Sequence, residues 1–295
     1  MKRVLVVGCN GQFGSIFTKK LLEEGICVDG MDRHPVPQQS TALENYWPGD
    51  ISALDEKATS PLGVADCVLL CVPEMTVIDS IPALRNRVKR DGLVVDIASV
   101  KTRIADAVHR ASPAFGYLSI HPMFGPHENF ESRNICVVSL RENENGSHFI
   151  RLLYKWKAKL TSLTAAEHDK NTAYIQSLTH AVIVNFVSTL AQAQRPFDTL
   201  ISLTTPIQHT LLALCARIVT GDSALYWNIQ TENPFASEAR ECFLREWNAL
   251  SNTIERTDHE AFEKIFRDVA KYLEPNRAGL AKLAARLVQM ANGRE

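Results

Sequence analysis

Apolar positions in the first half of the chain come in short β-branched runs: "RVLVVG", "ICVDGMD", "CVLLCVP", "LVVDIAS", "YLSIHP" and "NICVVSL". Each run is apolar on consecutive rather than alternate residues, so it predicts a strand covered on both faces, as in a parallel sheet. The stretches between the runs have helical character, and strand–helix alternation predicts βαβ units of one hand. After "TAAEHDKNTAYIQSLTHAVIVNFVSTLAQAQ" begins, the period changes. Tyr174, Leu178, Val182, Phe186 and Leu190 recur at helical spacing. Further helices are expected around Pro206 to Val219, Phe235 to Thr257, His259 to Tyr272 and Gly279 to Asn292. The pattern therefore predicts a doubly wound, mostly parallel α/β domain over residues 1–163 and an all-α domain over residues 164–295. No repeat or low-complexity linker separates them, and a cleft between two such halves is the default place for a ligand.

Composition narrows the class. The chain has 295 residues, 45% hydrophobic and 22% charged, with a formal net charge of −1. That is the composition of a globular protein. Lys and Arg are dispersed, so nothing electrostatic calls for a nucleic-acid partner. The start "MKRVLVVGCNG" has too short an apolar stretch for a secretory signal, and no later stretch is long and apolar enough to span a membrane. The seven cysteines include no CxxC pair, which points to reduced thiols in a cytoplasm and gives no metal-ligand spacing.

The glycines of "VVGCNGQFGS" follow a strand and open a helix. Gly8, Gly11 and Gly14 allow a tight turn and close backbone approach, while a helix N-terminus offers unpaired N–H groups to a pyrophosphate. Asp32 ends the second strand eighteen residues after Gly14. A carboxylate there can accept both ribose hydroxyls and repels a 2′-phosphate, so NAD is favoured over NADP. Arg33, beside it, can stack on adenine or meet a phosphate. The candidate cofactor contacts are Gly8, Gly11, Gln12, Phe13, Gly14, Asp32 and Arg33.

Ligands of doubly wound sheets gather at the carboxyl ends of the strands. Two ends carry chemistry: "LVVDIASVK", with Ser99 and Lys101, and "SIHPMFGP", with His121. Pro122 holds His121 extended. The ring has the intrinsic pKa of a base near neutrality, and a hydroxyl such as Ser99 can fix its tautomer. A strand-end histidine that merely satisfies backbone groups is the equal alternative on position alone. In the helical half, Gln176 and His180 are four residues apart and share a face with Thr172. Arg217 is the only charge between Leu211 and Val219, so it calls either for an internal acid or for an anionic substrate.

"GCNGQFG", "DIASVK", "SIHPMFGP", "AAEHDKNTAYIQSLTHA" and "LLALCARIVTGDSALYWNIQ", in that order, resemble the prephenate dehydrogenase family and together cover most of the chain. The resemblance implies a Rossmann domain followed by a helical domain that forms a homodimer. It also implies a cyclohexadienyl substrate that loses hydride from C4 to NAD and CO2 from C1, yielding 4-hydroxyphenylpyruvate for tyrosine biosynthesis. On the matching positions, His121 is the base for the C4 hydroxyl and Ser99 its hydrogen-bond partner. Arg217 holds a substrate carboxylate, and His180 and Gln176 line the same pocket.

Two neighbouring readings belong to the same family. "QSLTHAVIVNF" and "NIQTENPFASEAR" look similar to a branch acting on 4-amino-4-deoxyprephenate, and arogenate is a further substrate within the family. Members of the amino branch carry asparagine where this chain has His121, so the histidine argues for the hydroxyl substrate. A nucleotide-binding sensor on the same scaffold would have no need to keep Ser99, His121 and Arg217 together.

Overall fold

The computed structural model describes residues 1–35, 43–53, 59–126 and 129–291, leaving aside the side chains of residues 59 and 60. It divides into two compact units, Met1–Asp169 and Lys170–Glu295.

The first unit is an eight-stranded sheet in the order β3-β2-β1-β4-β5-β6-β7-β8. Its strands are β1 (Arg3–Val7), β2 (Cys27–Asp32), β3 (Tyr46–Pro48), β4 (Cys67–Leu70), β5 (Leu93–Asp96), β6 (Gly116–Pro122), β7 (Asn134–Arg141) and β8 (Lys159–Ser162). β3 through β6 run parallel, β7 is antiparallel to β6, and β8 is parallel to β7. The order of the first six strands is that of a dinucleotide fold, reversing direction between β1 and β4.

Side chains alternate across β1 in the expected way. Val4 and Val6 join a core with Phe17 and Leu21 of α1 (Gln12–Glu23) and Phe149 and Leu153 of α5 (Glu144–Lys155). Leu5 and Val7 join the opposite core, with Leu62 of α2 (Thr59–Val64), Val77 and Ile81 of α3 (Glu74–Leu84), and Ile104 and Val108 of α4 (Thr102–Ala111). Period-two alternation thus buries both faces, and each such Val or Leu contributes roughly 1.5–3 kcal/mol. β3 and β8 escaped the hydrophobic pattern because "YWP" is three residues long and "KLTS" is a half-polar edge strand.

α6 (Ala165–Thr172) opens with a reciprocal cap. Thr164 N–H donates to Glu167 Oε2 at 2.9 Å, and Glu167 N–H to Thr164 Oγ1 at 3.2 Å. Thr164–Asp169 cluster with the first unit. His168 and Asp169 explain this, being fully buried and hydrogen-bonded within that unit.

The second unit is helical: a π-helical turn over Ala173–Leu178, then α7 (Thr179–Gln192), α8 (Phe197–Ser202), α9 (Pro206–Val219), α10 (Ser223–Thr231), α11 (Ala236–Glu255), α12 (His259–Leu273) and α13 (Arg277–Ala291). Asn292, the expected end of the last helix, lies outside the described residues. α7 packs on α9, and α9 on α13. No residue of α7, α12 or α13 is fully buried, and Trp247, Phe266 and Tyr272 are among the exposed large apolar side chains. No described helix is long and apolar enough to cross a membrane.

Candidate active site

The glycine turn is built as its spacing requires. Gly8 has φ +76°, and a Cβ there would lie 2.3 Å from the Cys71 carbonyl oxygen. A Cβ on Gly14 would lie 2.0 Å from the Gly8 carbonyl oxygen, so α1 can approach β1 this closely only with glycine. Gly11 precedes α1 and brings no side-chain cap, leaving the helix N-terminus to a ligand.

Above the turn lies a cleft of about 230 Å³ lined by residues that include Gly8, Gly11, Asp32, Arg33, Asp50 and Val72. Asp32 accepts the backbone N–H groups of Asn10 and His34, each at 3.1 Å, which fixes its carboxylate at the rim. Exposed Arg33 stands 3.8 Å from Asp50 in a loose ion pair. Gln12 is exposed, and Phe13 packs edge-on against Phe124, 6.1 Å between centroids. Phe13 therefore braces the turn against the segment after His121. The glycines, uncapped helix and rim carboxylate fit a dinucleotide. A larger groove of about 600 Å³ around Lys2, Glu24 and Arg151 lies where β1 and β2 begin, at the wrong edge of the sheet for strand-end chemistry.

His121 occupies the carboxyl end of β6 and is 4% exposed. Its Nδ1 lies 2.9 Å from His168 Nε2, and His168 Nδ1 lies 2.8 Å from Asp169 Oδ1. The same carboxylate accepts the backbone N–H of Lys101 at 2.9 Å and of Thr102 at 2.8 Å. Asp169 thus caps α4 while it holds His168. Burial, then neighbouring His168 and Lys101, push the His121 pKa well below the usual histidine value. Burial also lowers His168, against the opposing pull of Asp169. For Asp169, burial acts upward, but hydrogen bonds from His168, Thr102 and Lys101 outweigh it and hold the carboxyl low. The resting arrangement is a carboxylate and two neutral imidazoles.

Lys101 supports this arrangement from below. Fully buried, its ammonium donates to the Ile120 carbonyl at 2.7 Å and to Asp96 Oδ1 at 3.3 Å. Ser119 Oγ donates to the same Asp96 oxygen at 2.9 Å. The backbone immediately before His121 is therefore tied to a buried ion pair at the end of β5. Glu74, at the start of α3, is buried nearby, and burial raises its carboxyl to about 7 against the opposing charge of Arg103.

Ser99, Gln176 and Arg217 stand in different surroundings. The described hydrogen bond at His121 Nδ1 is shared with His168 Nε2, and Ser99 stands half-buried just past β5. Gln176 sits in the π-helical turn between Thr172 and His180, and Thr172 is buried with its Oγ1 accepting from Asn233 Nδ2 at 3.3 Å. Arg217 is exposed, and α9 buries only Cys215 in this chain. Among the described residues no ion pair is formed by Arg217. Its charge, after burial, lowers the pKa of His180, whose ring packs edge-on against Tyr226 at 5.0 Å. His180 Nδ1 is buried without a hydrogen-bond partner among the described residues.

Pattern reading missed His168, Asp169, Asp96 and Glu74 as site residues. The available signal was the cap Thr164-x-x-Glu167, which starts a helix and places the next two residues, His168 and Asp169, at its first inward turn.

Comparison with known proteins agrees with this architecture. Residues 37–133 match the model described as prephenate dehydrogenase, nucleotide-binding domain, and residues 164–268 match prephenate dehydrogenase, dimerization domain. A 4-amino-4-deoxyprephenate dehydrogenase of Streptomyces pristinaespiralis is 29% identical over 97% of this chain and 96% of the relative. A T-protein of Enterobacter agglomerans is 28% identical over 99% of this chain and 73% of the relative. In fold, the chain superposes with a TM-score of 0.71 on prephenate dehydrogenase from A. aeolicus in complex with hydroxyphenyl propionate and NAD+, 22% identical, covering 93% of this chain and 98% of that one.

Proposed function

The chain belongs to the prephenate dehydrogenase family, and from that premise we propose that it converts prephenate to 4-hydroxyphenylpyruvate by NAD-dependent oxidative decarboxylation. The observation that carries the substrate choice is His121, a neutral imidazole at a strand end, hydrogen-bonded to His168. A hydroxyl at C4 needs such an acceptor as hydride departs.

Gly8, Gly11 and Gly14, with the start of α1, hold the pyrophosphate, and Asp32 receives the adenosine ribose hydroxyls. NAD+ supplies the hydride acceptor. His121 takes the proton of the C4 hydroxyl as the hydride leaves. Loss of CO2 from C1 then aromatises the ring, and His121 returns the proton to the phenolate oxygen, so no net proton is consumed. Ser99 borders the reacting end. Arg217, exposed and without an ion-pair partner among the described residues, is assigned to a substrate carboxylate, with His180 and Gln176 as further substrate contacts.

A second reading, 4-amino-4-deoxyprephenate as substrate, is supported by the 29% identical relative of that activity. NADH formation with equal concentrations of prephenate, arogenate and 4-amino-4-deoxyprephenate separates them. Higher kcat/KM on prephenate, with NAD rather than NADP, is expected. A preference for the amino compound replaces the first reading with the second.

We further propose a homodimer through the helical unit, because a lone chain leaves α7 and α12 without one fully buried residue. Sedimentation of a monomer at micromolar concentration would refute this.

A further inference from the structure

The described contacts of His121 decide more than its location. Imidazole presents one donor and one acceptor nitrogen when neutral, and which is which depends on the partners of the ring. Asp169 Oδ1 already accepts the Lys101 N–H, and Oδ2 accepts that of Thr102. A carboxylate so held can only accept from His168 Nδ1, 2.8 Å away. The proton of neutral His168 is therefore on Nδ1, and its Nε2 carries a lone pair. That nitrogen lies 2.9 Å from His121 Nδ1. Two lone pairs cannot share that distance favourably, so His121 Nδ1 carries the hydrogen and donates it.

We propose that Asp169 and His168 are a positioning pair that fixes His121 as the Nδ1-protonated tautomer, leaving Nε2 as the acceptor of the substrate's proton. Neither residue is required to touch substrate. The capping role supplies the rigidity: the carboxylate that sets the tautomer is pinned by two backbone N–H groups of the turn opening α4. Once Nε2 takes a proton, the Nδ1–H of imidazolium points at the His168 lone pair, which stabilises the charge as it forms. The assignment of a proton acceptor rests on the proposed reaction, but the tautomer does not.

The test reads the resting protein, without substrate. Full-length chain labelled with 15N-histidine is examined by long-range nitrogen–proton NMR, with His121 assigned by comparison to His121→Gln. The wild type is expected to show a protonated Nδ1 and an unprotonated Nε2. A wild type with the hydrogen on Nε2 overturns the proposal, whichever ring substrate the enzyme prefers.

Asp169→Asn, whose amide can donate to His168 Nδ1, is expected to reverse both tautomers. By analogy with the same change in a triad, it should lower kcat by up to about 10⁴-fold. His168→Gln keeps an acceptor oxygen for His121 and is expected to retain the wild-type tautomer. His168→Phe keeps ring bulk without an acceptor and should lose it. Equal kcat in these two His168 variants, with NAD affinity unchanged in both, would also overturn the positioning role. Should Asp169→Asn fail to fold for loss of its cap, the wild-type spectrum and the His168 pair still decide the matter.

Discussion

Replacing Lys101 by Met tests whether the buried pair behind His121 holds the strand end. Lys101 and Asp96 are both fully buried, with 3.3 Å between Nζ and Oδ1. The thioether fills much of the lost volume but supplies no charge and no donor. Among the described residues, Asp96 Oδ1 then keeps the neutral donors Ser119 Oγ and the Ala98 N–H, at 2.9 and 3.0 Å. Stranding one member of a buried pair costs about 3–5 kcal/mol. The Ile120 carbonyl, which accepts from Nζ at 2.7 Å, loses its partner as well, worth about 1–3 kcal/mol if no water enters. Local relaxation makes the two penalties overlap, so a total near 4 kcal/mol is expected, with kcat falling further because Ile120 precedes His121. Urea unfolding with a common slope measures the first effect. A double replacement, Asp96→Asn with Lys101→Met, should recover about half of it, since no charge is then stranded. A loss under about 1 kcal/mol in the single variant would mean that the buried pair contributes no more than an exposed one and does not hold the strand end.

Other consequences can be measured independently. Gly14→Ala places a methyl 2.0 Å from the Gly8 carbonyl, so α1 must shift; about 1–3 kcal/mol of stability should be lost, and NAD affinity, read by calorimetry, should fall at least tenfold. Removing the rim carboxylate by Asp32→Ser should raise kcat/KM with NADP relative to NAD, and an unchanged ratio would show that Asp32 does not discriminate the 2′-phosphate. Glu74, raised by burial to about 7, favours its neutral form in the fold, so its stabilising contribution is complete below the ordinary carboxyl pKa and is lost as pH rises through about 7. Glu74→Gln should therefore gain stability relative to wild type in melts at pH 8 and lose that advantage towards pH 4.5. Because burial, His168 and Lys101 keep His121 neutral well below its usual titration range, the acidic limb of kcat/KM should fall below pH 6.5, and a limb at or above that value would point to another base.

The glycine turn, Asp32 and the strand ends were legible because each depends on local spacing: a strand, a tight turn and a helix within thirty-odd residues. The helices of the second unit were legible from their period, whereas the π-helical turn over Ala173–Leu178 was not, because the apolar spacing of Tyr174 and Leu178 runs through it unchanged. His168 and Asp169 were not legible as partners of His121. Forty-seven residues separate the two histidines, and only the sheet topology brings the start of α6 beneath the end of β6. Arg217 left its two alternatives open for a related reason. Sequence pattern marks α9 as apolar, but it does not say whether this chain or another surface covers that face, and here the guanidinium is exposed.

Whether His121 accepts the proton of the substrate hydroxyl is read from His121→Asn. Turnover of prephenate at saturating NAD should fall by about 10²–10⁴-fold, while the equilibrium affinity for NAD stays within twofold of wild type. Turnover within a few-fold of wild type would remove His121 from the proton transfer and return it to the role of a buried strand-end residue.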